Sequence, residues 1–129
     1  MITIDYKDRR PLYQQIMEKI EDLATQGILQ PDEQLPSVRS LAIDLAINPN
    51  TIQRAYRELE KKGIIYSVSG RGSFLAKSTD VLVQEKQEDL WQELKKLIIL
   101  GCQLGVTKLQ FVEKVEDFYA QQAQGGENR

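Results

Sequence analysis

The spacing of apolar residues changes at Gly63, and that change bounds the folds open to this chain. Ahead of it, apolar residues recur at helical intervals in three segments. Behind it, Ile64-Ile65-Tyr66-Ser67-Val68 and Ser73-Phe74-Leu75 are β-branched and aromatic, around Ser69-Gly70-Arg71-Gly72. Two short apolar runs joined by a Gly-containing turn predict a β-hairpin. The order is therefore three helices and then a hairpin.

The first helix is predicted at Pro11–Gln26. Pro11 suits its first position, where a missing N–H costs nothing. Leu12, Ile16, Ile20, Leu23 and Ala24 form one apolar stripe, and Gly27 can take the left-handed conformation that ends a helix. Gln30-Pro31-Asp32-Glu33-Gln34 reads as a loop. The second helix is predicted at Val38–Ala46, capped by Ser37, with Val38, Leu41, Ala42 and Leu45 inward. Asn48 caps the third helix and Pro49 opens it; it runs to about Lys62 and stops at Gly63. Ile52, Ala55, Tyr56 and Leu59 make its buried face. Asn50, Gln53, Arg54 and Arg57 fall together on the opposite face. Ile2-Thr3-Ile4 is read as a short strand beside the hairpin.

Beyond Ser78-Thr79-Asp80 the spacing is helical again, which places a boundary at 78: a winged helix-turn-helix over 1–78 and a helical dimerisation domain over 79–129. Leu90, Trp91, Leu94, Leu97, Ile98 and Leu104 make a broad stripe, and Gly101 and Gly105 bend or end that helix. Thr107-Lys108-Leu109-Gln110 has capping-box spacing. It opens a last helix with Phe111, Val112, Val115, Phe118 and Tyr119 on one side. The stripe can pack back on the winged helix or pair with a second subunit. Two helices with wide apolar faces and no third partner favour pairing, through Leu90, Trp91, Leu94, Leu97, Ile98, Phe111, Val115 and Phe118. Cys102 is expected as a small buried hydrophobe, and Gln124–Arg129 as a frayed end.

Charge is uneven. The net formal charge is −2, yet residues 48–77 hold six Lys/Arg against Glu58 and Glu60, a balance of +4 between two segments of −3 each. The chain has no histidine, which removes histidine general-base catalysis, the Ser-His-Asp triad and the commonest zinc ligand. Its single cysteine removes intrachain disulfides and cysteine-cluster metal sites. No metal site, cofactor or catalytic residue is expected, and with no paired carboxylates or nucleophile in a pocket motif the chain is not read as an enzyme. Ser69–Ser73 lacks the helix and the Gly-Lys-Ser/Thr ending of a P-loop. No apolar run nears the roughly 18 residues of a membrane span. MITIDYKDRR does not read as a signal peptide, so no membrane partner and a cytoplasmic location are expected.

Three short helices and a hairpin describe a winged helix-turn-helix, whose third helix enters the major groove of DNA. Asn50, Thr51, Gln53 and Arg54 supply the polar and basic side chains this requires: Asn and Gln suit adenine edges, Arg suits guanine. Ser37 and Arg39 at the second helix's start can meet a phosphate. Arg71, flanked by glycines, can reach the backbone or the minor groove. Arg57 can serve DNA or pair with Glu58 or Glu60. Lys61 and Lys62 can touch phosphate or favour the helix C-terminus. Tyr56 is read as core.

Pro11–Ile16, Leu35-Pro36-Ser37-Val38-Arg39-Ser40-Leu41-Ala42, Asn48–Glu60, Gly63-Ile64-Ile65 and Gly70-Arg71-Gly72-Ser73-Phe74 occur in the order of a GntR-family DNA-binding domain, which this chain resembles over about 9–77. The tail is too short for the large effector domains of other branches and is similar to the short two-helix tail of the YtrA branch. The resemblance implies a homodimeric repressor on a double-stranded, inverted-repeat operator, often of an ABC-transporter operon. It implies DNA contacts at Arg39, Asn48 to Thr51, Gln53, Arg54, Ser69 and Gly70. A small-molecule effector, unidentified, can lie at the dimer interface. The competing function is a winged-helix protein-interaction adaptor, which would carry apolar residues on the outer face of the third helix.

Overall fold

In the computed structural model, which describes residues 2–126, the elements run α1 (Leu12–Thr25), α2 (Val38–Leu45), α3 (Pro49–Lys61), β1 (Ile65–Val68), β2 (Gly72–Leu75), α4 (Asp80–Gln103) and α5 (Lys108–Gly126). The fold is mainly helical, with the antiparallel hairpin in register Ile65↔Leu75 to Val68↔Gly72. Two compact units meet in sequence between Lys86 and Gln87.

Local chemistry sets the helix ends. Pro11 is not the first residue of α1, as expected, but its N-cap: with ψ 146° it is extended, and its carbonyl accepts from the N–H groups of Gln14 and Gln15 at 3.1 and 3.3 Å. Gly27, at φ 75°, closes α1, and the Ile28 N–H donates back to the Leu23 carbonyl at 3.0 Å. Ser37 caps α2 by accepting from the Ser40 N–H at 3.0 Å. α2 ends at Leu45, one residue early, because Ala46 turns left-handed at φ 55°. Asn48-Pro49 follows closely, and a residue before proline is driven out of helical conformation. Asn48 caps α3 by accepting from the Asn50 N–H at 2.8 Å. α3 ends at Lys61, with Gly63 left-handed just beyond.

The core of the first unit lies between α1, α2, α3 and the hairpin. Ile16, Ile20, Ile52, Leu59 and Leu75 are fully buried, with Leu41, Tyr56 and Ile65 nearly so. Leu82, in the first turn of α4, is buried in the same core. The expected strand Ile2–Ile4 does not form; Ile2 and Ile4 instead pack half-buried against the core. The edge of β2 is already taken by the segment read as a loop. The Leu35 N–H donates to the Ser73 carbonyl at 2.8 Å, the Leu75 N–H to Glu33 at 2.9 Å and the Asp32 N–H to Leu75 at 2.9 Å. With those groups satisfied, the N-terminal segment has no edge to join there.

Two buried polar residues, Gln15 and Glu21, carry no local signal in the sequence. Gln15 is 3% exposed. Its Oε1 accepts from the Asp5 N–H at 3.1 Å, and its Nε2 donates to the Asp5 and Arg10 carbonyls at 3.2 Å each, which fixes the N-terminal segment on α1. Glu21, 6% exposed, lies between two cations, 3.4 Å from Lys62 Nζ and 3.5 Å from Lys86 Nζ. A carboxylate that far from water requires such partners.

The second unit consists of the remainder of α4 and α5. Gly105, left-handed at φ 78°, ends α4. Gly101 does not end the helix, which runs on to Gln103; it is buried, and a Cβ there would collide with the Phe111 ring. Its neighbour Cys102 is exposed, contrary to expectation. Successive helical side chains diverge by about 100°, so the site that buries Gly101 turns the next residue away. The capping box forms as expected, the Thr107 N–H donating to Gln110 Oε1 at 2.9 Å and the Gln110 N–H to Thr107 Oγ1 at 3.2 Å. α5 stays helical through Gly126, so the fraying expected from Gln124 does not begin there; Glu127–Arg129 lie outside the described residues. Within one chain, Leu90, Trp91, Leu97 and Phe118 are all more than half exposed, and Leu94, Ile98 and Val115 are exposed too.

Two outcomes are expected of this core. Leu59→Ala removes a fully buried side chain and should lower unfolding free energy in urea by about 2–5 kcal/mol. Tyr56 donates its O–H to the Pro36 carbonyl at 2.6 Å, and burial pushes its hydroxyl above the ordinary tyrosine range. The folded state therefore holds this proton more tightly than the unfolded chain, where it titrates near about 10. The resulting stability is complete below about pH 10 and is lost as pH rises above it. Tyr56→Phe should cost roughly 1 kcal/mol at neutral pH and flatten the alkaline decline in urea-unfolding free energy.

Candidate nucleic-acid interface

α3 divides its residues between inside and outside. Ile52, Ala55, Tyr56 and Leu59 are buried, whereas Asn50, Gln53, Arg54 and Arg57 are exposed. One buried stripe on a helix leaves the opposite arc to solvent. α3 packs on α1 and α2. The Tyr56 O–H also holds the Pro36 carbonyl, next to the cap of α2. One part-buried hydrogen bond thus ties the middle of α3 to the residue before Ser37, which fixes where α2 begins relative to α3.

The exposed cations differ in their surroundings. Among the described residues, Arg39, Arg57 and Arg71 form no ion pair, and their guanidinium groups donate no hydrogen bond. Glu58, a possible partner for Arg57, lies instead 3.4 Å from Lys61. Lys62 is engaged with Glu21. Arg54 lies over the Tyr13 ring, its Cζ 3.9 Å from the ring centroid. Arg10, outside this set, is paired with Asp8 and Glu18, which raise its pKa, and the Arg10 guanidinium in turn holds the Asp8 carboxyl below the usual carboxylate range.

Ser37 and Asn48 each spend a side-chain oxygen on a helix cap. The Ser37 O–H and the Asn48 amide N–H groups remain as donors. Thr51 is half-buried in the first turn of α3. At the hairpin tip the Arg71 N–H donates to the Val68 carbonyl at 2.9 Å, closing a turn through Ser69 and Gly70, with Gly70 at φ 77°. Ser69, Gly70 and Arg71 are exposed. Gln34 Nε2 donates to the Arg71 carbonyl at 2.7 Å and braces the tip from the segment alongside β2. A Cβ at Gly72, which sits at φ 108°, would come within 3.0 Å of that amide. Behind the tip, Tyr66 stacks on Phe74 at 5.5 Å between centroids, and its O–H donates to Asp32 Oδ1 at 2.8 Å. That bond to a carboxylate raises the Tyr66 pKa. These braces join residues some 30–40 positions apart, and no local pattern announced them.

The expected contact residues of α2, α3 and the hairpin thus belong to one compact unit. Leu90, Trp91, Leu94, Leu97, Ile98, Phe111, Val115 and Phe118, all beyond Lys86, belong to the other. No helix among the described residues is long and apolar enough to cross a membrane.

Comparison with known proteins agrees with this geometry. Residues 12–75 match the bacterial regulatory proteins of the gntR family. The chain is 37% identical over 129 residues to the HTH-type transcriptional repressor YtrA of Bacillus subtilis, covering 99% of each chain. A transcriptional regulator from Oenococcus oeni has a similar structure, with a TM-score of 0.79, 30% identity and coverage of 92% of this chain and 99% of that one. The AraR DNA-binding domain, solved in complex with operator ORE1, is similar over 59% of this chain and 93% of its own, with a TM-score of 0.51 and 30% identity. These relatives are regulators of transcription and not enzymes. With a family match across its winged helix and a full-length likeness to a repressor of the same kind, this chain belongs to the GntR family of bacterial regulatory proteins.

Proposed function

We propose that this protein is a homodimeric, cytoplasmic transcription repressor that binds an inverted-repeat DNA operator. In this reading residues 1–78 are the DNA-binding domain and 79–129 the dimerisation domain. The observation that carries it is the outer face of α3, where Gln53, Arg54 and Arg57 stand exposed above a fully buried stripe. Asn50, Thr51, Gln53 and Arg54 read base edges. Ser37, Arg39, Asn48 and Arg57 hold the sugar-phosphate backbone, and Ser69, Gly70 and Arg71 reach it from the hairpin. The likeness to YtrA supports the repressor role, and an ABC-transporter operon is the target class that its branch suggests. An adaptor role would want apolar residues where these polar ones stand.

The second subunit comes from the tail. Leu90, Trp91, Leu97 and Phe118 are all more than half exposed, and large apolar side chains left in water together mark a surface for association. Pairing two copies buries it and, by two-fold symmetry, presents two α3 helices to two half-sites. A small-molecule effector bound between the copies would alter their spacing.

Two measurements check this reading. Binding to a duplex selected from a randomised library should weaken by orders of magnitude between about 50 and about 200 mM salt, as condensed counterions are released. In the same assay Gln53→Ala should lower discrimination against a scrambled duplex by about 1–3 kcal/mol with folding intact. A salt-insensitive affinity would refute DNA binding through this face. For the tail, Phe118→Asp should convert the dimer to monomer in sedimentation equilibrium, leave the thermal unfolding of the first unit unchanged and weaken binding to the two-half-site duplex far more than to a single half-site.

A further inference from the structure

The stacking of Arg54 on Tyr13 separates that arginine from the other cations of the surface. Tyr13 lies in the first turn of α1, half-buried against the core, and its hydroxyl accepts from Gln14 Nε2 at 3.2 Å. The ring is therefore fixed by packing, and the guanidinium lies over its face, Cζ 3.9 Å from the centroid. A guanidinium seated over a ring spends no N–H donor on a protein acceptor, and its planar fork of donors is the geometry that meets the O6 and N7 acceptors of guanine. Among the described residues no acceptor engages those donors. An unstacked arginine surrenders about 2 kcal/mol of rotamer freedom when it is ordered against a base. Arg57, which among the described residues has no ring beneath it, stays free to follow phosphates.

We propose that Tyr13 is a positioning residue for base reading: from α1 it holds the Arg54 guanidinium in a preset plane, so that Arg54 reads guanine while Arg57 neutralises charge. The inference rests on the DNA-binding function proposed above. Tyr13 itself touches no base.

The test uses the full-length protein, a duplex that it selects from a randomised library, and a scrambled duplex of the same composition. Tyr13→Leu should weaken the selected duplex about three- to tenfold, the range for a cation–π contact, and leave the scrambled duplex within about twofold. Tyr13→Phe, which keeps the ring, should restore wild-type affinity. In an Arg54→Ala background Tyr13→Leu should have no further effect, because the two residues act as one unit. A readout independent of DNA and of any variant's folding is the Arg54 Hδ resonance of the free wild-type protein, which the ring should shift upfield. Absence of that shift overturns the proposal. So do additive losses in the double variant, and so does equal or tighter binding by Tyr13→Leu, which would mean that the ring tethers Arg54 away from DNA. Failure of the wild type to select any duplex overturns the DNA-binding function as well, an outcome distinct from all of these.

Discussion

The burial of one face of α3 is the constraint from which the rest of the first unit follows. Ile52 and Leu59 are wholly removed from water, with Ala55 and Tyr56 between them in the stripe. Burial of this kind contributes roughly 1.5–3 kcal/mol for each large apolar side chain. A helix held so firmly by one side cannot roll without exposing that face, so its opposite side is defined as well. Gln53, Arg54 and Arg57 are outward because their neighbours are inward. Tyr56 makes the lock directional as well as apolar: its hydroxyl selects the Pro36 carbonyl and so sets the start of α2 against the middle of α3. The surface inferred to meet DNA is thus specified from beneath.

The two units solve opposite problems. The first is self-sufficient, with its buried Glu21 met by two lysines and its hairpin braced through Gln34 and Asp32. The second leaves much of its apolar surface uncovered within one chain. Apolar area in contact with water is a standing cost, and a second copy offers the most economical relief. If the tail pairs as proposed, the oily face that makes the protein dimeric also sets the two-fold symmetry of the sequence it reads, and one physical term serves both assembly and recognition.

Much of this was legible in the primary sequence. Helical stripes, the Ser37 and Asn48 caps, the Thr107–Gln110 capping box and the glycines at 27, 63 and 105 are local features. Each acts within a few residues of itself, so spacing alone exposes them. Three misreadings came from competition at close range: Pro11 caps α1 instead of entering it, Ala46 turns left-handed, and Cys102 faces away from the side where Gly101 is buried. The first two depend on a backbone angle that residue type biases without deciding, and the third on helical phase, which one buried neighbour sets. The segment around Gln34 displaced Ile2–Ile4 beside the hairpin because pairing to β2 is settled by which chain reaches the edge, a matter of tertiary placement.

The sequence by itself determined the architecture, the division of α3 into an oily and a polar face, and the family, because all three are carried by short-range order in residue type. Only the tertiary structure decided the partnerships: Gln15 with Asp5 and Arg10, Glu21 with Lys62 and Lys86, Tyr66 with Asp32, and Arg54 with Tyr13. Those contacts join residues from different elements, and Glu21 and Lys62 alone are 41 positions apart. Hydrogen bonds and stacked rings act over a few ångströms of space, whereas separation along the chain says nothing about separation in space until the core has formed.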